Sequence, residues 1–244
     1  MTRAFAPVAV LALLSALAAG CGDDGGSGSD SNEDDQDVPV VALTADQIEQ
    51  AVLQEENLGE GWTSEPATES EDDAPGCLGD IDKITEGLDR TERGGTQFDQ
   101  GDLRVESTVS AYADETALTG VFDLVQTTLA ACTTVDGTDA DGNTWDVELT
   151  TSDETTYDDV DDQYTVSGSG TVTAPTGQVI EVHLEQTAVR VGPNVGSIGT
   201  FDTQSRSTEH AVWAEIAVKR LVDVATGEEP EETTAPAPEG GEAA

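Results

Sequence analysis

Histidine beside carboxylates is the arrangement best suited to moving a proton or holding a metal near neutral pH, and this sequence has two histidines, His183 and His210. His183 stands two residues from Glu181 and two from Glu185, in a run where it alternates with Ile180, Val182 and Leu184. Flanking carboxylates give it the makings of a general base or a metal ligand. The alternation gives it a plainer use, as a polar residue on the solvent side of a half-buried strand, and that reading is adopted. A second candidate is Asp139-Ala140-Asp141-Gly142, with Glu148 six residues beyond Gly142. With Gly142 at the sixth position of a calcium loop, Asp139, Asp141 and Glu148 fall at the third, fifth and twelfth. Gly137 then occupies the first position, Asp136 is one residue out of register, and the following residues are patterned as a strand where the loop needs a helix. An Asp-Gly hairpin turn accounts for the run. The acids from Asp153 to Asp162 collect cations loosely, which is not a site. No H-E-x-x-H, nucleophile elbow or P-loop pattern occurs, and nothing points to a triad, whose members are scattered in sequence. The expectation is a non-enzymatic chain with no catalytic residue, no metal ligand and no cofactor.

The three cysteines divide into one and two. Arg3 followed by the apolar run Ala4 to Ala19, with Pro7 inside it, reads as a secretory signal, shorter than the roughly 20 residues a spanning helix needs. It ends in Leu17-Ala18-Ala19-Gly20-Cys21, which resembles a bacterial lipobox with Ala18 where Leu is commonest. On that resemblance residues 1–20 are a lipoprotein signal peptide. Cys21 then carries palmitate or a similar acyl chain, and the protein is anchored by lipid to the outer face of the cell membrane. No later stretch is long and apolar enough to span a bilayer. Cys77 and Cys132 remain, and an even pair in an exported chain reads as one disulfide. A redox or nucleophilic role finds no neighbouring His or second Cys to lower the thiol pKa.

Acids number 51 and bases 9 in 244 residues, for a net charge of −42. Nucleic acid is excluded as a partner, since phosphate contacts need Lys and Arg, as is attachment to anionic lipid through basic residues. Residues 21–37 contain no apolar residue after Cys21 and seven acids, so they form a disordered tether below the lipid. Residues 228–244, with four acids in the first five positions and Pro236 and Pro238 further on, read as a second disordered acidic tail. The 190 residues between, 38–227, hold 38 acids and 8 bases, so the folded part is itself acidic. Such a shell serves solubility and tolerance of salt, or the capture of a cationic ligand.

Within 38–227 a helix is predicted over Thr44 to Asn57, opened by the Thr44/Gln47 capping-box pattern. A loop follows over Thr63 to Gly76, and a short helix around Leu78 to Leu88. Alternation from Leu103 to Ala111 gives a strand. Asp114 caps a helix whose face is Leu118, Val121, Phe122, Val125 and Leu129, running to Cys132. Strands are then predicted at Trp145 to Leu149, Tyr164 to Val172, Val179 to Val191 and Val195 to Phe201, with turns at Ala174 to Gly177 and Gly192-Pro193-Asn194. A last helix spans Thr208 to Ala225 and ends near Gly227. This order gives an α+β fold: an antiparallel meander with about three helices packed on it and one disulfide.

The layout of a first helix, Gly61-Trp62, a Cys, a strand ending near Tyr112 and a helix closing in Leu129-Ala130-Ala131-Cys132, followed by Val189-Arg190-Val191-Gly192-Pro193-Asn194-Val195 and a late Lys219-Arg220-Leu221, is similar to actinobacterial extracellular sensor-like domains. PknH-type serine/threonine kinases carry such domains outside the membrane, and they also occur as free-standing lipoproteins. The resemblance implies an α+β domain with a cleft for an unidentified ligand and two disulfides. Only one cysteine pair stands here, and no kinase segment is present, so a signal would pass to a partner protein. The function expected is a non-catalytic, lipid-anchored binding or sensor-type domain that takes a small molecule or envelope component in a cleft. The alternative is an accessory protein docking on a membrane or envelope complex, which predicts an exposed apolar patch. No ligand-binding residue is assigned. Trp62, Trp145 and Trp213 are the aromatic candidates for pocket walls, with core packing as their competing use.

Overall fold

The computed structural model describes residues 40–68, 75–85 and 87–236. The proposed signal peptide, Cys21, the tether and the end of the tail lie outside them. Among the described residues eight strands form one antiparallel sheet. In chain order they are β1 (Thr63–Pro66), β2 (Arg90–Gln100), β3 (Leu103–Tyr112), β4 (Thr134–Thr138), β5 (Thr144–Ser152), β6 (Asp162–Thr173), β7 (Val179–Val191) and β8 (Asn194–Asp202). Five helical segments accompany them: α1 (Ala45–Ala51), α2 (Glu55–Leu58), α3 (Leu78–Thr85), α4 (Glu115–Ala131) and α5 (Ser207–Thr226). The spatial order β1-β2-β3-β8-β7-β6-β5-β4 has a simple cause. The chain lays down β1 to β3, crosses by α4 to the far edge, and returns as a five-strand meander until β8 pairs with β3. The α+β expectation holds.

The helices cover opposite faces at opposite ends of the sheet. On one face, α1, α2 and α5 bury the alternate residues of the β2-β3-β8-β7 half. There Ile48, Val109, Val189 and Leu221 belong to one apolar cluster, and Phe98, Val105, Ile198 and Trp213 to another. On the other face, α3 and α4 set Ile81, Leu118, Phe122 and Val125 against Val147, Tyr164 and Val166 of the β4-β5-β6 half. Gly94 lets α1 sit close, since a Cβ there would stand 2.7 Å from Ile48 Cγ2. This diagonal arrangement leaves two sheet quadrants without a helix of the described residues over them.

The long amphipathic elements match expectation, and the departures have local causes. α4 starts where Asp114 Oδ1 accepts the Ala117 amide at 3.0 Å, and α5 ends at Gly227 with φ +84°. The helix expected over Thr44 to Asn57 is two pieces. The Thr44/Gln47 capping box forms, but Val52 turns extended, its carbonyl and that of Gln50 taken by the buried Arg220 guanidinium (2.9 and 2.6 Å). The break lets both Val52 and Leu53 be buried. Three strands were not expected. β1 is exposed throughout, β4 buries Val135 alone, and β2 has one large apolar residue, Phe98, in eleven positions. The tail also departs from expectation. Residues 228–236 form no helix or strand, yet they lie against the domain, with the Ala235 amide donating to the Asn57 carbonyl at 2.8 Å.

Candidate functional site

The structure separates most of the residues that the sequence offered for chemistry. His183 sits on the helix-free quadrant of the α5 face, in the same β7 row as Glu181 and Glu185 and opposite Ser169 of β6. That is the solvent-side position expected of it. His210 is buried in α5, its Nδ1 2.8 Å from Thr200 Oγ1 and its Nε2 3.0 Å from Thr187 Oγ1, and burial pushes the imidazole down to about 4. Asp139 closes the β4–β5 hairpin. Its carboxylate accepts the Asn143 amide at 2.8 Å and the Trp145 indole N–H at 2.8 Å. Burial works to raise its pKa, but these hydrogen bonds outweigh it and hold the carboxyl below its ordinary range. Among the described residues no group of three or more metal-ligating side chains converges. Trp62 and Trp213 meet edge to face in the core, centroids 5.6 Å apart, and Trp145 packs under α4. Cys77 and Cys132 are joined, as expected, tying the start of α3 to the end of α4.

The open concavity is the other helix-free quadrant, on the α4 face of β2, β3, β8 and β7. Strict alternation places Gln97 and Asp99 of β2 beside Glu106 and Arg104 of β3, followed by Gly199 and Phe201 of β8 and Leu184 of β7. Arg104 Nε donates to Asp99 Oδ1 at 2.9 Å. Arg93 lies 3.8 Å from Glu106, whose side chain is only 14 % exposed. Burial pushes the Glu106 carboxyl up to about 7 against the opposing pull of Arg93 and Arg104. Toward the turns the concavity opens into a cleft of about 430 Å³, with Ile180, Val182 and Phe201 as an apolar wall and Asp102, Arg104 and Asn143 as polar groups. Arg104 and Phe201 belong to both parts. An apolar wall meeting a few convergent polar groups is the usual constitution of a ligand pocket, and the adjoining hollow adds a carboxyl with a displaced pKa, Glu106.

Sequence reasoning missed Arg93, Arg104 and Glu106, because polar residues alternating with Leu103 and Val105 read as the solvent side of a strand. A signal was there. Three of the eight bases in residues 38–227 fall in the β2–β3 hairpin, at Arg90, Arg93 and Arg104, in a chain where bases are scarce.

The titration of this site gives a test of its burial. Glu106 holds its proton more tightly folded than unfolded, so burying it costs stability as pH rises from 4.5 to 7. His210 has the opposite sign: its depressed value contributes stability above 6.5 that is lost as pH falls toward 4. Glu106→Gln is expected to raise stability by about 2–3 kcal/mol at pH 8 and to change little at pH 4.5. Urea midpoints of wild type and variant at the two pH values check this, and equal differences at both would contradict it.

No family profile matches the sequence, and no curated protein matches it significantly. Among solved structures, the extracellular domain of PknH from Mycobacterium tuberculosis matches with a TM-score of 0.56 at 13 % identity, over 78 % of this chain and 100 % of that one. The two share a fold. An uncharacterised protein of Mycobacterium smegmatis aligns over 72 % of this chain and 95 % of its own at 10 % identity, with a TM-score of 0.37. The PknH-like, actinobacterial resemblance carried by the Gly-Trp turn, the Cys-terminated helix and the Val-Gly-Pro-Asn turn is thus borne out in architecture.

The Val-Gly-Pro-Asn residues themselves are structural. Asn194 is fully buried. Its Oδ1 accepts the Leu43 amide at 2.9 Å, and its Nδ2 donates to the carbonyls of Val41 and Val191. Gly192 has φ +57°, and a Cβ there would stand 2.8 Å from Val40. Together they fix the segment by which the chain enters the fold.

Proposed function

We propose that this chain is a non-catalytic, extracytoplasmic binding or sensor-type domain, tethered by lipid on Cys21 and taking a small molecule or envelope component in the cleft on the α4 face. The observation that carries the reading is the cleft itself: the apolar wall Ile180-Val182-Phe201 set against Asp102, Arg104 and Asn143, with Arg104 and Phe201 continuing into the smaller adjoining hollow that holds Glu106. The sensor-type fold and the lipobox-like Leu17-Ala18-Ala19-Gly20-Cys21 support the location. Binding without turnover is the chemistry proposed, on the apolar wall and the few polar groups set against it.

Native mass spectrometry of the mature protein, exported from an actinobacterial host, tests the cleft. A discrete added mass is expected, lost in Phe201→Asp. A bare mass for the wild type would favour the accessory protein that docks on an envelope complex. Cys21→Ser separately tests the anchor: the protein is expected to move from the membrane fraction to the medium, and retention would count against lipidation.

A further inference from the structure

The segment after α5 doubles back and seats on α2 and α5. Asn57 grips it twice: its backbone carbonyl accepts the Ala235 amide at 2.8 Å, and its side-chain Nδ2 donates to the Thr233 carbonyl at 2.8 Å. These are the contacts of a receptor reading an extended peptide through its main chain. The Ala235 side chain enters the core cluster of Leu58, Trp62 and Trp213 and is 5 % exposed. Lys219 of α5 reaches Glu231 at 3.6 Å while also pairing with Asp223. The seated segment does not fill its groove. A cavity of about 240 Å³ remains beside it, between Val212, Ile216 and Lys219 of α5 and Thr233, Thr234 and Pro236 of the tail. That is room for a side chain larger than Thr234 offers.

We propose that the groove between α2 and α5 is a recognition site for an extended segment of a partner protein, of the form acidic-x-x-x-Ala-Pro with a large apolar residue before the Ala, and that residues 228–236 occupy it as this chain's own displaceable copy. The pattern follows position by position. An acid at 231 meets Lys219, the carbonyl of 233 meets Asn57, a small residue at 235 fits the closed pocket, and the residue between them faces the vacant space. A proline at 236 costs no hydrogen bond, because the amide gripped is that of Ala235. The tail is held at the high effective concentration of a short tether, so the site is closed until a better-fitting segment displaces it.

The test uses the mature chain and a fluorescent peptide with the sequence of residues 228–244. Binding is followed by anisotropy for wild type, for Ala235→Glu, whose tail cannot seat, and for a chain ending at Gly227, which keeps every helix and strand should the first variant not fold. The peptide is expected to bind the two tail-free proteins at least tenfold more tightly than the wild type. The same peptide with Thr234→Leu is expected to bind tighter still, and with Ala235→Glu not at all. Equal binding to wild type and to the chain ending at Gly227, or undiminished binding of the Ala235→Glu peptide, would overturn the proposal.

Discussion

Cys77→Ser is expected to lower the stability of the folded chain by about 4 kcal/mol, the loop-closure value for the 55 residues that separate Cys77 from Cys132. For a domain of this size that is a drop in melting temperature of roughly 8–16 °C. The bridge does more than close a loop, because it fixes the start of the short helix α3 to the end of α4. Helix α3 is eight residues long, too short to be stable by itself, and its Leu78 and Ile81 are buried against α4. Thermal melts with and without reductant make the measurement. Unchanged melting of the wild type in reductant would show that the core alone holds α3 in place.

Asn194→Ala is expected to cost about 3 kcal/mol, although it removes only a few atoms. The side chain is wholly buried and satisfies one amide and two carbonyls. Truncation orphans these groups away from water, at roughly 1–3 kcal/mol each, with relaxation recovering part of the loss. An exposed contact sets the scale: Lys83→Ala breaks a pair with Asp80 whose side chains are both 68 % exposed, and less than about 0.5 kcal/mol is expected. Chemical denaturation of both variants decides the matter, and a cost for Asn194→Ala no larger than for Lys83→Ala would mean that water replaces the amide.

Much of this fold can be read in the chain because its covered halves repeat a strong period. β7 alternates Ile180, Val182 and Leu184 with polar residues, and α4 repeats Leu118, Phe122, Val125 and Leu129, so each declares its buried side. β2 declares nothing, since it lies where the concave face is polar and its sequence RTERGGTQFDQ has no alternation to show. The same cause hides the candidate site. Arg104 and Glu106 become interior groups only because β2, β8 and β7 flank them in register, and that pairing spans distant parts of the chain. The tail reads as solvated because composition does not distinguish its one buried Ala from its neighbours.

The crossover by α4 sets a timetable for folding. β2 with β3, and β4 to β8, are each built from neighbours in sequence, whose hairpins close in microseconds. The two sets meet only where β3 pairs with β8, joining residues from Ala111 and Asn194 to Arg104 and Phe201, 83 to 97 positions apart. Loop-closure entropy makes that pairing the slowest to form. Both walls of the concave face, including the pair Glu106 and Gly199 at its floor, therefore come into being in the last step, once the chain is available as far as β8.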